Sequence, residues 1–384
     1  MSSDAVVTKR FRCPHCGGSQ AFEPRSGRLR CDHCAAEENV TESVTTANDG
    51  VDSHHRRRRG LDEGLNADAD FTDRRPEPEV FVAGCEECGA EVSFGELELA
   101  SRCTFCGSPA VSSGASRRPI RASSVLPFAV DRHTAERAFS RWLGRLWFRP
   151  NDLASLAILH QLAGVYVPFW SFDAEVDSSW TAEAGTHYYV NTDSGSDDTS
   201  DDDYTIQQKD ARSKKRRTRH TRWERAWGRR HDRYVDLLVC ASHGLPRELA
   251  DSLRTYNMRK LRAYSAGYLA GFRAEEYGVA LEPGFDFARR RVEAAQRQKC
   301  ASDIRGDTHR SLNVTHAFSS LMFQALLLPM WVSAYRYRGR VYRFLVNGET
   351  GEVVGKAPWS ALKIALFVLA LAALAVVVYV LWRR

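Results

Sequence analysis

Eight of the chain's ten cysteines stand in two quartets of one pattern: Cys13-x2-Cys16-x14-Cys31-x2-Cys34 and, 72 residues on, Cys85-x2-Cys88-x14-Cys103-x2-Cys106. Two residues between cysteines let one tight turn aim both sulfurs at a single ion about 2.3 Å away, and a second such knuckle closes a tetrahedron. The spacing predicts two structural Zn2+ ions, each held by four thiolates that leave no coordination position for water or substrate. Gly17, Gly18, Gly89 and Gly107 follow knuckle cysteines, where tolerance of positive φ lets the chain turn away. His15 and His33 lie inside the knuckles, but the quartet is complete without them. Disulfides are disfavoured because residues 1–12 carry no apolar run that would serve as a secretory signal. A redox pair would need one Cys-x2-Cys in a strand-turn-helix setting, not two matched pairs.

Other chemistry finds little to work with. There is no His-Glu-x-x-His, no Gly-x-Ser-x-Gly and no Gly-x-Gly-x-x-Gly, and Gly355-Lys356 is followed by Ala357 rather than the hydroxyl residue of a phosphate-cradling loop. Cys240, in an apolar β-prone stretch, reads as a small buried hydrophobe, and Cys300, at a polar helix end, as exposed. His187, Tyr188 and Tyr189 read as cross-strand packing. The expectation is a protein that is not an enzyme and has no small-molecule substrate.

The other end of the chain speaks of lipid. Ile364 to Trp382 is nineteen residues without a charge, enough at about 1.5 Å per residue to cross the hydrocarbon of a bilayer. Lys363 on one side and Tyr379 and Trp382 on the other suit the two interfaces. The expected transmembrane helix is 361–382, single-pass. Lys356 and Lys363 balance Arg383 and Arg384, so local charge does not set the orientation; reduced thiolates and the missing signal put the amino terminus and bulk of the chain in the cytosol, at the cytoplasmic membrane. Ala317 to Val332 is also apolar but contains Gln324 and Pro329 and leads into charged strands, which favours a buried strand over a second span.

Between these ends, 384 residues with 43% hydrophobic content and nine tryptophans suffice for one sizeable core besides the small metal modules. The expected organisation is a zinc ribbon at 1–40, a charged flexible linker at 41–78, a second ribbon at 79–115, and a domain at 120–357 with a charged insertion near 191–220. A net charge of +6 suits an anionic partner, and the blocks Arg56 to Arg59, Asp201 to Asp203 and Lys214 to Arg217 read as solvated loops. Asp131 should cap a helix that buries Ala135, Phe139, Trp142, Leu143 and Leu146 and turns Arg137, Arg141, Arg145 and Arg149 outward. A short helix is expected at 153–162, and strands at Val165–Phe172, Trp180–Val190, Thr221–Trp227, Tyr234–Ala241 and Leu312–Phe323. Helices are expected over Pro246–Ser265 and over Tyr268–Lys299, the latter broken at Glu282-Pro283-Gly284, and a hairpin about Arg338-Gly339. The fold class is α+β: two zinc ribbons, a mainly antiparallel sheet with helices on one face, and the C-terminal transmembrane helix.

Three tracts carry a resemblance: Gly164-Val-Tyr-Val-Pro-Phe-Trp-Ser-Phe-Asp173, Tyr264 to Tyr277, and the ending through Leu328-Pro-Met-Trp-Val and Phe344-Leu-Val-Asn-Gly-Glu-Thr-Gly-Glu-Val. With the ribbons and the anchor, they resemble the bacterial membrane-anchored TFIIB-type zinc-ribbon proteins, often labelled by name transfer as the replication-restart helicase primosomal protein N′. The helicase label fails here for want of the phosphate loop. The resemblance implies a membrane-tethered cytosolic adaptor that recruits protein partners to the inner membrane face. A duplicated ribbon and the charged insertion depart from the family's pattern. The alternative is a membrane-associated nucleic-acid-binding protein gripping phosphates through its ribbons and basic blocks.

Overall fold

The computed structural model describes residues 11–41, 58–66, 81–88, 90–94, 103, 105, 108, 111–113, 122–150, 162–192, 216–253, 255–337 and 340–383. The expected 153–162 helix up to its last residue, the Asp201 to Asp203 block, Lys214 and Lys215 and the Arg338-Gly339 turn lie outside them, as do Gly89, Cys106 and Gly107, while Arg216 and Arg217, expected in a solvated loop, begin a strand. The chain forms two units, one of Met1–Asp173, Val235–Ala288 and Ser320–Arg384, the other of Ala174–Tyr234 and Arg289–Ser319.

In the first unit, β1 (Gln20–Glu23), β2 (Arg28–Cys31) and β3 (Glu37–Glu38) make a small antiparallel sheet of their own. The remaining strands belong to a twelve-stranded sheet. They are β4 (Arg59–Gly60), β5 (Phe81–Cys85), β6 (Glu91–Phe94), β7 (Val111–Ser113), β8 (Ser124–Val125), β9 (Ala163–Thr192), β10 (Arg216–Cys240), β11 (Arg262–Ala263), β12 (Arg273–Glu275), β13 (Thr308–Tyr337), β14 (Arg340–Asn347) and β15 (Val353–Gly355). Pairing is mainly antiparallel, with β12–β9 and β13–β8 parallel. The β13–β14 hairpin runs in register from Met330↔Asn347 to Tyr337↔Arg340. This is the α+β class the pattern predicts.

The core accounts for the first and last of the three tracts. In β9, Val165, Tyr166, Val167, Phe169 and Trp170 are all buried, so both faces of that strand are covered. The Trp170 indole N–H donates to the Val279 carbonyl at 2.8 Å. Ala317 to Val332 lies in β13, with Leu326, Leu328, Met330 and Val332 in the same core and Gln324 donating to Ser124 Oγ at 2.7 Å. Asn347 is fully buried, its Oδ1 accepting the Glu349 and Thr350 N–H groups that turn the chain into β15.

The Arg132–Arg145 helix starts as expected, Asp131 accepting the Thr134 N–H at 2.7 Å. It buries Ala135, Phe139 and Leu143, with Phe139 stacked 3.7 Å from Phe344 of β14. Arg137, Arg141 and Arg145 are exposed, but Arg149 lies beyond the helix and donates to the Leu143 carbonyl, closing the C-terminus instead of joining the stripe.

Other expectations are corrected. The separate strands of the middle region are halves of longer ones, β9 and β10 at 30 and 25 residues. Pro246–Ser265 is not one helix: helix covers Arg247–Ser252, a 3-10 turn Met258–Lys260, and β11 follows. The Asn257 N–H is taken by Glu349, a tertiary bond that the local pattern does not reveal. Tyr268 to Glu275 is likewise a 3-10 turn and β12, and Pro283 does not break the Leu281–Asp303 helix but sits in its first turn, where the missing N–H costs nothing. Within the segment expected as linker, residues 58–66 form β4 and the Leu61–Asn66 helix; β4 pairs with β13 and Leu61 is buried.

In the second unit, Trp180, Ala182, Cys300 and Ile304 form a small core. Cys300 is fully buried, contrary to expectation, because the helix face that bears it packs against strand residues remote in sequence. Asp232 of β10 organises the polar side of this packing, accepting from Arg230, Gln296 and Lys299. Tyr188 stacks on His220 across β9 and β10, the packing role expected of that aromatic cluster.

Candidate metal centres

Each knuckle is built by one repeated backbone bond. The N–H groups of Cys13, Cys31, Cys85 and Cys103 donate to the carbonyls of Gly18, Ala36, Ala90 and Ser108, always five residues on, at 2.7–2.9 Å. The fourth residue after the first cysteine must then swing to the left-handed region: Gly17 has φ +71°, and Ala35, in the same place, φ +58°. The loops thus direct sulfur pairs inward before any ion is considered.

In the first quartet, Cys13, Cys16, Cys31 and Cys34 converge, all four sulfurs within 4.8 Å of one another and the pairs Cys13–Cys34 and Cys16–Cys31 at 3.5 Å. A tetrahedral ion with 2.3 Å bonds needs its sulfurs about 3.8 Å apart, so the donor set fits. The backbone N–H groups of Cys34 and His33 point at the Cys31 sulfur and lower its pKa to about 6, against the upward push of burial, toward the thiolate that a metal requires. His15 and His33 stay exposed.

In the second quartet, Cys85, Cys88 and Cys103 converge in the same way, with Cys88 and Cys103 sulfurs 3.6 Å apart, while the predicted fourth ligand Cys106 lies outside the described residues. Position five of each knuckle repeats here too, which makes the two centres equivalent in backbone design.

Their settings differ. The first centre's β1 docks by an edge, the Phe22 N–H donating to the Ala270 carbonyl, with Phe22 and Leu29 packed beside Tyr268 and Arg25 paired with Asp131. The second is part of the sheet itself: β6 pairs with β12, and Cys85, Ala90, Cys103 and Phe105 lie in the same core as Val165, Val167 and Leu328. A methyl group on Gly244 would come within 2.4 Å of Ala90, so that glycine permits the close approach.

Two buried charged groups escaped the sequence reading. Glu275, within the Tyr264–Tyr277 tract, accepts from the Ser242 hydroxyl at 2.6 Å and the Gly244 N–H, and burial pushes its pKa up to about 8. Arg58, expected in a solvated loop, is buried between Asp173 and Asp236. Arg59 beside it is exposed, and no pattern in the block distinguishes the two.

At the C-terminal end, the Ala361–Arg383 helix is long and apolar enough to cross a membrane and no part of it is buried. Its base is seated: the Ser360 N–H donates to the Phe148 carbonyl, Lys363 Nζ to the Trp147 carbonyl, and Phe148 packs on Trp359 and Phe367.

Fold and site together define a class: an α+β protein with two thiolate clusters able to hold metal ions and one apolar C-terminal helix. The chain is similar to the uncharacterised protein YdjG of Bacillus subtilis (strain 168), 27% identical over 357 residues that cover 92% of each chain. No protein-family model matches it, and no solved structure does.

Proposed function

We propose that the protein is a membrane-tethered cytosolic adaptor whose two centres hold structural Zn2+ and whose Ala361–Arg383 helix anchors it to the cytoplasmic membrane. The observation that carries this is the seating of the apolar helix on Trp147 and Phe148 of a domain that itself incorporates the second thiolate cluster. Trp147 and Trp359, 84% and 74% exposed around the helix base, suit the water–lipid boundary, where an amphipathic ring gains from both sides. Saturated thiolate sites shape surfaces rather than activate water, which favours recruitment of protein partners over turnover.

The test is crosslinked pull-down of the full-length protein from its own membranes, beside variants lacking one quartet's cysteines. The adaptor reading expects a protein partner lost with one quartet and a chain that resists alkaline extraction. A chain that washes off the membrane, or purifies without stoichiometric zinc, defeats it.

A further inference from the structure

Among the described residues, the second unit shows one sheet face covered by a helix and the other open. Even-numbered β10 residues, among them Ala226, Asp232 and Tyr234, turn toward helix residues 289–303. Odd-numbered residues alternate to the opposite side. There Arg225, Trp227, Arg229, His231 and Arg233 are all exposed, Trp227 by 78%. Among the described residues, the acids beside this stripe are already engaged, Asp177 with His231 at 2.9 Å, Glu175 acting on the same imidazole, and Glu183 with Arg310. Among the described residues, Arg225, Arg229 and Arg233 have no ion-pair partner. The result is an open face with three free guanidiniums flanking a bare indole, which a protein not using it would tend to pair or cover.

We infer that this face binds single-stranded nucleic acid, with the arginines on phosphates and Trp227 stacked on a base. Same-face positions along a strand lie about 6.6 Å apart, so Arg225 and Arg229 bracket the indole with room for one unstacked nucleotide between them. A duplex strand, at about 3.4 Å per phosphate and with its bases turned inward, cannot offer a base to Trp227. Stacking tolerates any base, so recognition is of single-strandedness rather than sequence. This site is separate from the thiolate centres, and the inference goes beyond the adaptor reading without relying on it.

The experiment is fluorescence anisotropy of labelled oligouridine and oligothymidine against the full-length protein in nanodiscs of zwitterionic lipid, from about 50 to 200 mM salt. The triple variant R225Q/R229Q/R233Q is expected to weaken binding by at least about tenfold and to flatten the log–log salt slope by about 2, at roughly 0.7 for each phosphate no longer neutralised. Trp227→Ala is expected to weaken binding about tenfold with the salt slope unchanged, and Trp227→Phe to restore most of it. Zinc content and circular dichroism of these surface variants should match the parent. The inference is overturned if the parent does not bind at low salt, if duplex competes as well as single strands, if neutralising Lys214 to Arg217 abolishes binding while the stripe variants do not, or if the stripe variants change association with anionic vesicles only.

Discussion

Cys13 and Cys85 begin equivalent knuckles, yet their loss should be felt differently. Cys13 belongs to a module that lends only Phe22 and Leu29 to a buried cluster of the first unit, whereas Cys85 itself lies in a core cluster beside Val165 and Leu328. Each Cys→Ser change should remove one of the two proposed zinc ions by elemental analysis, because three ligands bind far less tightly than four. Thermal unfolding should separate them: Cys85→Ser lowers the melting temperature of the first unit by roughly 10 °C or more, and Cys13→Ser by only a few degrees. Equal melting of the two variants would refute the view that the second centre is the more deeply built into the core. The quartets were legible because a knuckle is local: its turn, bond and ligands fall within six residues. Arg58 was not, since its partner Asp236 is 178 residues away and nothing nearby distinguishes it from the arginines around it.

At the scale of elements, the long strands of the second unit alternate an apolar side under the helix with a polar side in water, and charge on the polar side does not end a strand. That is why β10 runs through residues whose charge suggested breaks. Its hold on the helix is partly ionic. Arg230, with Lys299 and Gln296, keeps the Asp232 carboxyl well below the usual carboxylate range. The sign follows: a folded pKa below the unfolded one gives stabilisation present above about pH 4 and lost as pH falls toward the lowered value. Hydrogen-exchange protection of helix residues 289–303, relative to the unstructured rate at the same pH, should therefore fall on acidification below pH 4, and Asp232→Asn should show the reduced protection already at pH 7. An exchange rate in the variant equal to the parent's would show that apolar packing by Trp180, Cys300 and Ile304 suffices alone. The helix at Arg132–Arg145 was legible to its cap and core face, whereas Pro246–Ser265 was not, because the bonds that unwind it come from the β14–β15 turn.

On the scale of the whole chain, the proposed tether makes a prediction about light. In bilayers carrying brominated lipid, Trp147 and Trp359 should be quenched most when bromine sits near the headgroups, and a chain with both changed to Phe should keep only the part of that shallow quenching that Trp382 contributes at the opposite interface. Quenching indifferent to those two substitutions would mean that the domain stands clear of the lipid surface. Between the end of β15 at Gly355 and the start of the helix at Ala361 only five residues intervene, a reach of about 18 Å even at full stretch. Under the proposed tether, so short a leash leaves the first unit no freedom to explore the cell interior. An adaptor held in this way would keep whatever it captures within a molecular diameter of the bilayer, to meet other membrane residents by lateral diffusion, a search in two dimensions instead of three.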